Sequence, residues 1–186
     1  MSKKKVGILG GSFDPVHFGH LNLSISLKET CMLNEVWLVP AGLSPFKQET
    51  PPSVSSEHRL AMLKLATSHI PGFRILTDEI ERNGPSYTID TVRKLSEDKS
   101  LQLHLLLGDD QVPHFHLWKD AEELATLAPL LIGTRENLEG TLGKRIKIPI
   151  FEVSSTLVRQ RLKNKLYCGH LVPASVLDYI AQHHLY

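Results

Sequence analysis

The sequence predicts an α/β fold: a doubly wound parallel sheet with helices on both faces and a small C-terminal helical portion. Three observations predict it. Short apolar, β-rich runs alternate with segments of helical periodicity along the chain, which is the pattern of βαβ units. The first such run stops at a glycine pair, and a helical pattern begins a few residues later, so a helix N-terminus faces the connecting loop. The bulk properties are those of an ordinary globular chain: 186 residues, 41% hydrophobic and 22% charged, with length for about one domain at roughly 100–200 residues each.

The elements follow in order. Residues 5–10 (KVGILG) read as a buried strand with a glycine stop. Residues 20–33 carry leucines and isoleucine at helical spacing, and 35–40 (EVWLVP) form a second strand. Residues 40–56 are a Pro/Ser-rich loop, long enough to suspect function. Residues 56–70 make an amphipathic helix with a serine start and a Pro71-Gly72 stop. A third strand is expected over 73–79, and a helix over 87–97 that Ser86 can cap. The run 101–107 (LQLHLLL) reads as a strand buried on both faces. Then come a helix over 121–127, strands over 130–133 and 145–151, a helix over 155–165, and a last helix over 173–183 with Pro173 near its first position. This is a Rossmann-like order, and no linker-like shift in composition divides it, so residues 1–186 read as a single domain. Ligands of such sheets sit at the carboxyl ends of the strands. The loops after Gly10, Pro40, Leu107 and Phe151 are therefore the places for a site.

Several classes of function are excluded. Twenty-one basic and 20 acidic residues give a net charge of +1, too balanced for a nucleic-acid or membrane-surface partner. Two cysteines, Cys31 and Cys168, make no disulfide framework and fit a reduced, cytoplasmic setting. The N-terminus is basic, but its apolar stretch 6–9 ends at Gly10-Gly11, too short for a signal peptide. The longest mostly apolar stretch, 124–132, contains Thr126 and Pro129, and falls far below the ~18 apolar residues of a membrane span. No heptad run or apolar stripe marks an interface, and the oligomeric state is not readable.

The chemistry is expected first in GGSFDPVHFGH, residues 10–20. Gly10 and Gly11 let the backbone turn and approach a ligand, and the loop Gly10-Gly11-Ser12-Phe13 leads into a helix N-terminus suited to anions. Neither GxGxxG nor GxxxxGK[ST] is present, so this is a different phosphate loop. His17 and His20, three apart, fall on one side of a helical turn, where two imidazole N–H donors can hold a phosphate and meet the charge of a transfer reaction. No Cys, Asp or Glu nearby completes a tetrahedral set with them, so no protein-held metal is expected. Asp14-Pro15 reads as a turn. A second constellation, Ser154-Ser155-Thr156 with Arg159, follows a strand and opens a helix. Its hydroxyls cap that helix, and Arg159, four residues after Ser155, shares its face and suits triphosphate oxygens.

GGSFDPVHFGHL resembles the signature of the HxGH nucleotidyltransferase superfamily, and VSSTLVR (153–159) is similar to its ISSTxxR motif. SYTIDT (86–91) and Gly108-Asp109-Asp110 followed by Trp118 resemble the SYTxDT and GxD…W motifs of the bacterial nicotinate-nucleotide adenylyltransferases. Arg59…Met62-Leu63…Ala66 and the closing Tyr167…Tyr186 stretch fit that family too, so the resemblance spans nearly the whole chain. It implies transfer of AMP from ATP to nicotinate mononucleotide, giving deamido-NAD and pyrophosphate, with Mg²⁺ bound mainly by ATP. It implies that Trp118 stacks the nicotinate ring, that main-chain N–H groups near Thr88 and Lys119 meet its carboxylate beside Tyr87, and that Asp110 contacts nucleotide. His17 and His20 are then the catalytic pair. One departure stands out: where the family's substrate loop reads PPHK, this chain has Ser44-Pro45-Phe46-Lys47. Lys47 keeps the cation there but the histidine is lost. The readings left open are a sister HxGH transferase acting on phosphopantetheine or nicotinamide mononucleotide, and a non-catalytic nucleotide-binding module. His114 and His116 are expected to be solvated surface.

Overall fold

The structure, a computed structural model, describes residues 2–43, 51–82, 84–135 and 142–186. Six parallel strands form one sheet: β1 (Lys4–Gly11), β2 (Glu35–Pro40), β3 (Phe73–Ile75), β4 (Leu101–Gly108), β5 (Leu130–Thr134) and β6 (Lys144–Lys147). Their spatial order is β3-β2-β1-β4-β5-β6. The order reverses between β1 and β4, and the crevice beyond their carboxyl ends is where a doubly wound sheet binds ligands.

The period-two alternation of the central strands divides the core into two layers. Leu9, Leu38, Leu106 and Leu131 point to one face. There they meet α1 (Phe18–Thr30), α2 (Ser56–Thr67), α6 (Ser155–Lys163) and α7 (Ala174–Gln182), through buried residues such as Leu27, Met62, Val158 and Ile180. Val6, Ile8, Leu105 and Ile132 point to the other face, against α4 (Thr88–Ser96) and α5 (Ala121–Leu127) through Ile89, Val92 and Leu124. The helices expected on both faces are present, and α7 lies against α2 rather than standing apart.

Three expected elements differ. The strand expected over 73–79 stops at Ile75 and gives way to a short helix, α3 (Asp78–Glu81). Three acidic residues, Asp78, Glu79 and Glu81, favour a helix N-terminus there. The strand expected over 145–151 runs only from Lys144 to Lys147, because its one neighbour in the sheet, β5, ends at Thr134. The connection between Gly108 and Trp118 reads as a loop in the sequence but is a 3-10 helix, Asp109–Leu117, which carries Phe115 into the core. Lys47 and Phe46 lie outside the described residues.

Candidate functional site

At the end of β1 the chain does not turn at the glycine pair. Gly10 and Gly11 remain extended, in register with Val39 and Pro40 of β2. The left-handed residue is Phe13 (φ 47°), just before the Asp14-Pro15 turn. The turn expected at the glycines is made at Phe13 instead, while the close backbone approach expected of them keeps its room. A Cβ on Gly10 would meet nothing closer than Thr88 Oγ1 at 3.8 Å, so its bare backbone lies open toward the crevice.

The loop ends at His17, which caps α1. His17 Nδ1 accepts from the His20 N–H (3.4 Å), and His20 Nδ1 accepts from the His17 N–H (3.3 Å). This is a capping box built from two imidazoles in place of Ser and Glu. It accounts for the three-residue spacing, and it fixes chemistry. An Nδ1 that accepts carries no proton, so each ring holds its proton on Nε2. The rings stack at 3.6 Å between centroids, 23° apart, and the edge of Phe13 packs on His20 at 4.9 Å. Burial lowers the His17 pKa to about 4, so His17 is a neutral N–H donor near pH 7. Gly19 between them is required by space: a Cβ there would come within 3.0 Å of His17 Nδ1 and 2.9 Å of Val153.

The second signature closes on the first. Ser154 caps α6, its Oγ accepting from the Leu157 N–H at 3.2 Å. Ser155 Oγ donates to the Pro15 carbonyl (2.9 Å), and Arg159 Nη1 donates to the Asp14 carbonyl (2.7 Å). The expected shared face of Ser155 and Arg159 is thus present, and it grips the loop between β1 and α1. Arg159 Nη2 also reaches Thr156 Oγ1 at 3.3 Å. A cavity of about 940 Å³ opens above these residues. Phe13, His17, His20, Ser154, Thr156 and Arg159 line it, as does Asp110.

A smaller cavity, about 340 Å³, adjoins it and shares the wall made by Gly10, Gly11, Ser12 and Trp118. Tyr87, Thr88 and Lys119 line it as well, together with the polar Glu79, Ser86, Gln111 and His114. Trp118 packs on Phe115 at 5.6 Å. Lys119 lies over the Tyr87 ring (4.5 Å) and pairs with Asp90 (3.3 Å), joining the start of α4 to the end of the 3-10 helix. Ser86 does not cap α4, whose N-cap is Tyr87 with no side-chain cap. Its Oγ accepts from the Gly42 N–H (2.9 Å) and donates to the Glu79 carbonyl (3.4 Å). Thr91 Oγ1 donates to the Glu79 carboxylate at 2.9 Å. Two hydroxyls of SYTIDT, those of Ser86 and Thr91, therefore fold that motif around one buried glutamate, whose pKa burial raises.

The turn reading of Asp14 is incomplete. Asp14 is 4% exposed. Its carboxylate accepts from the Ser53 N–H (2.8 Å) and the Tyr186 hydroxyl (2.8 Å), and lies 3.5 Å from Arg159. Arg59, 1% exposed, donates to the Ser12 and Ala41 carbonyls at 2.7 Å each. An arginine within the apolar stripe Arg59, Met62, Leu63, Ala66 was the visible signal for this second support. His114 is exposed at the rim of the smaller cavity and His116 is exposed beside it. Among the described residues, no three His, Cys, Asp or Glu side chains converge as a metal site.

Fold and site together define a nucleotidyltransferase of the Rossmann-like kind, and residues 8–161 match the cytidylyltransferase-like family model. A protein of Bacillus cereus described as "Probable nicotinate-nucleotide adenylyltransferase" is 38% identical over 189 residues, covering 98% of each chain. One of Oceanobacillus iheyensis with the same description is 33% identical over 187 residues, covering 98% of this chain and 97% of its own. The solved nicotinic acid mononucleotide adenylyltransferase of Plasmodium falciparum, complexed with NaAD, superposes with a TM-score of 0.80 at 20% identity, over 98% of this chain and 97% of its own. The chain belongs to the nicotinate-nucleotide adenylyltransferase family. No described helix is long and apolar enough to cross a membrane.

Proposed function

We propose that this chain, acting as one domain over residues 1–186, transfers AMP from ATP to nicotinate mononucleotide, releasing pyrophosphate and forming deamido-NAD. The observation that carries this reading is the pair of adjoining cavities with a common wall at Gly10–Ser12 and Trp118. One offers imidazole and guanidinium donors, the other an aromatic and polar lining. A 5′-phosphate oxygen of the mononucleotide attacks the α-phosphorus of ATP. The bond from that phosphorus to the bridging oxygen breaks, and pyrophosphate leaves. Alignment and charge stabilisation are sufficient for such a step.

His17 and His20 donate Nε2–H to the α-phosphate, and the backbone of Gly10–Phe13 supports it. Arg159 neutralises triphosphate charge with the N–H groups that its loop contacts leave, Lys47 adds a second cation, and Ser154, Ser155 and Thr156 present the α6 N-terminus. Trp118 stacks the pyridine ring. Tyr87, Thr88 and Lys119 form the carboxylate end, and Asp110 contacts nucleotide. The carboxylates that line the larger cavity, Asp14, Asp109, Asp110 and Glu152, form no metal-holding cluster among the described residues. They fit a Mg²⁺ that arrives on ATP and keeps most of its ligands as phosphate and water; bound there, it would withdraw charge from the phosphates. Free Cys31 and Cys168 suit the cytoplasm, where these substrates would be met.

Pyrophosphate release measured with ATP, Mg²⁺ and each acceptor tests the reading. Nicotinate mononucleotide should exceed nicotinamide mononucleotide by at least ~10²-fold in kcat/KM, because donors built for a carboxylate are left unpaired by the amide. Equal rates, turnover only with phosphopantetheine, or no turnover at all would overturn it.

A further inference from the structure

Tyr186 lies 172 residues from Asp14 in sequence, yet its hydroxyl donates to Asp14 Oδ1 at 2.8 Å. The chain reaches that point by a specific route. After α7, His184 adopts a left-handed conformation (φ 52°), and the Leu185 N–H returns to the Ile180 carbonyl at 3.0 Å. This is a Schellman-type reversal, and it turns Tyr186 back over the sheet. Helix α7 is itself fastened to α2 by the contact of Tyr179 with His58 Nδ1 (3.0 Å), and α2 carries Arg59. Two elements packed on each other thus reach the same loop, Arg59 at the Ser12 carbonyl and Tyr186 at the Asp14 side chain.

We propose that Tyr186 is a positioning residue for the transfer reaction: its phenol fixes the Asp14 carboxylate, which in turn holds the Phe13–His17 loop and Arg159 in place for the triphosphate. The geometry has the parts such a role needs. Asp14 is buried, so its oxygens have few alternative donors. One oxygen takes Tyr186, the other takes Ser53 and faces Arg159, and the Asp14 carbonyl receives Arg159 Nη1. Asp14 therefore ties the phosphate loop to the 51–55 segment and to the second signature, and Tyr186 adds a second tie from outside both motifs. Burial and the adjacent carboxylate raise the phenol's pKa above its ordinary value, which keeps it a donor through the neutral range. Tyr186 does not line either cavity, so it acts through Asp14 and not on substrate.

The inference rests on the transfer reaction proposed above, and the test separates the two. Parent enzyme, Tyr186→Phe and Tyr186→Leu are compared by steady-state kinetics and thermal melting. If the parent has no adenylyl transfer activity, the function is wrong and the positioning role falls with it. If the parent is active, removing the hydroxyl alone should lower kcat about tenfold, the scale of a small misplacement of reacting groups. The KM for ATP should rise and the KM for the acceptor should stay unchanged, since the smaller cavity does not contact Asp14. Leu should match Phe in kcat while melting at a lower temperature, because it loses ring packing as well. A merely structural role predicts the opposite pattern, with kcat following the melting temperature and both KM values moving together. That pattern, or wild-type kcat in Tyr186→Phe, overturns the proposal.

Discussion

The stacked imidazole cap makes a quantitative demand on stability. His17 titrates at about 4 in the folded chain against an ordinary 6.5, and burial is the cause. Between those values the unfolded chain binds the extra proton and the folded chain does not. The contribution is therefore complete above pH 6.5 and is lost as the pH falls toward 4. A gap of about 2.5 pH units at about 1.4 kcal/mol each amounts to roughly 3 kcal/mol in all, of which about 2 kcal/mol disappears between pH 7 and pH 5. His17→Asn isolates the effect. Asparagine is a strong N-cap residue, so it keeps an acceptor for the His20 N–H while removing the titrating ring. Urea unfolding of parent and variant at pH 7 and pH 5 gives the difference directly, with the carboxylates that titrate in the same range cancelling between them. The parent should lose about 2 kcal/mol more than the variant. Equal losses would refute the buried, neutral imidazole. In the same variant kcat should fall by about 10²–10³, the usual cost of one preorganised donor, and asparagine's own N–H₂ sets the milder end of that range.

Two further outcomes follow from the geometry. Trp118→Ala should weaken acceptor binding by roughly 1–3 kcal/mol, the scale of base–aromatic stacking, with the KM for ATP nearly unchanged; a folded variant with an unaltered acceptor KM would remove Trp118 from the site. Arg59→Met should cost roughly 2–3 kcal/mol in urea unfolding by leaving the half-buried Ser12 and Ala41 carbonyls without their donor, and a variant within about 0.5 kcal/mol of the parent would show that those contacts carry no net stability.

The layered fold was legible because its signal is repetitive. Each central strand alternates two apolar faces, and each covering helix repeats the same apolar stripe, so no single residue had to be read correctly. The elements that differed are the short ones at the margins. A strand of three residues such as Phe73–Ile75 carries too little alternation to mark its end, and the acidic turn after it looks equally like strand or helix. The 3-10 helix Asp109–Leu117 contains Pro113 and two histidines, a composition that reads as loop. Packing of Phe115 against Trp118 orders it, and that is a tertiary fact.

The site shows a sharper division. Spacing within a motif was informative because it is set by local backbone geometry. Three residues between His17 and His20 is the reach of a reciprocal cap, and four between Ser155 and Arg159 is one helical turn. What spacing did not reveal was the direction in which these groups face. Arg159, Ser155, Ser86 and Thr91 all direct polar atoms onto other parts of the protein, at Asp14, Pro15, Gly42 and Glu79. The partners of those atoms come from distant segments, so no local pattern announces them. Asp14 is the clearest case: in sequence it is the first half of an Asp-Pro turn, and in space it joins the 51–55 segment, α6 and Tyr186. The stacked His17–His20 pair and the Gly10–Phe13 loop of the proposed phosphate site are held by their surroundings as well as by each other. The buried ties around Asp14 and Arg59 give it rigidity from outside, which is why residues that never touch the substrate are expected to govern the rate.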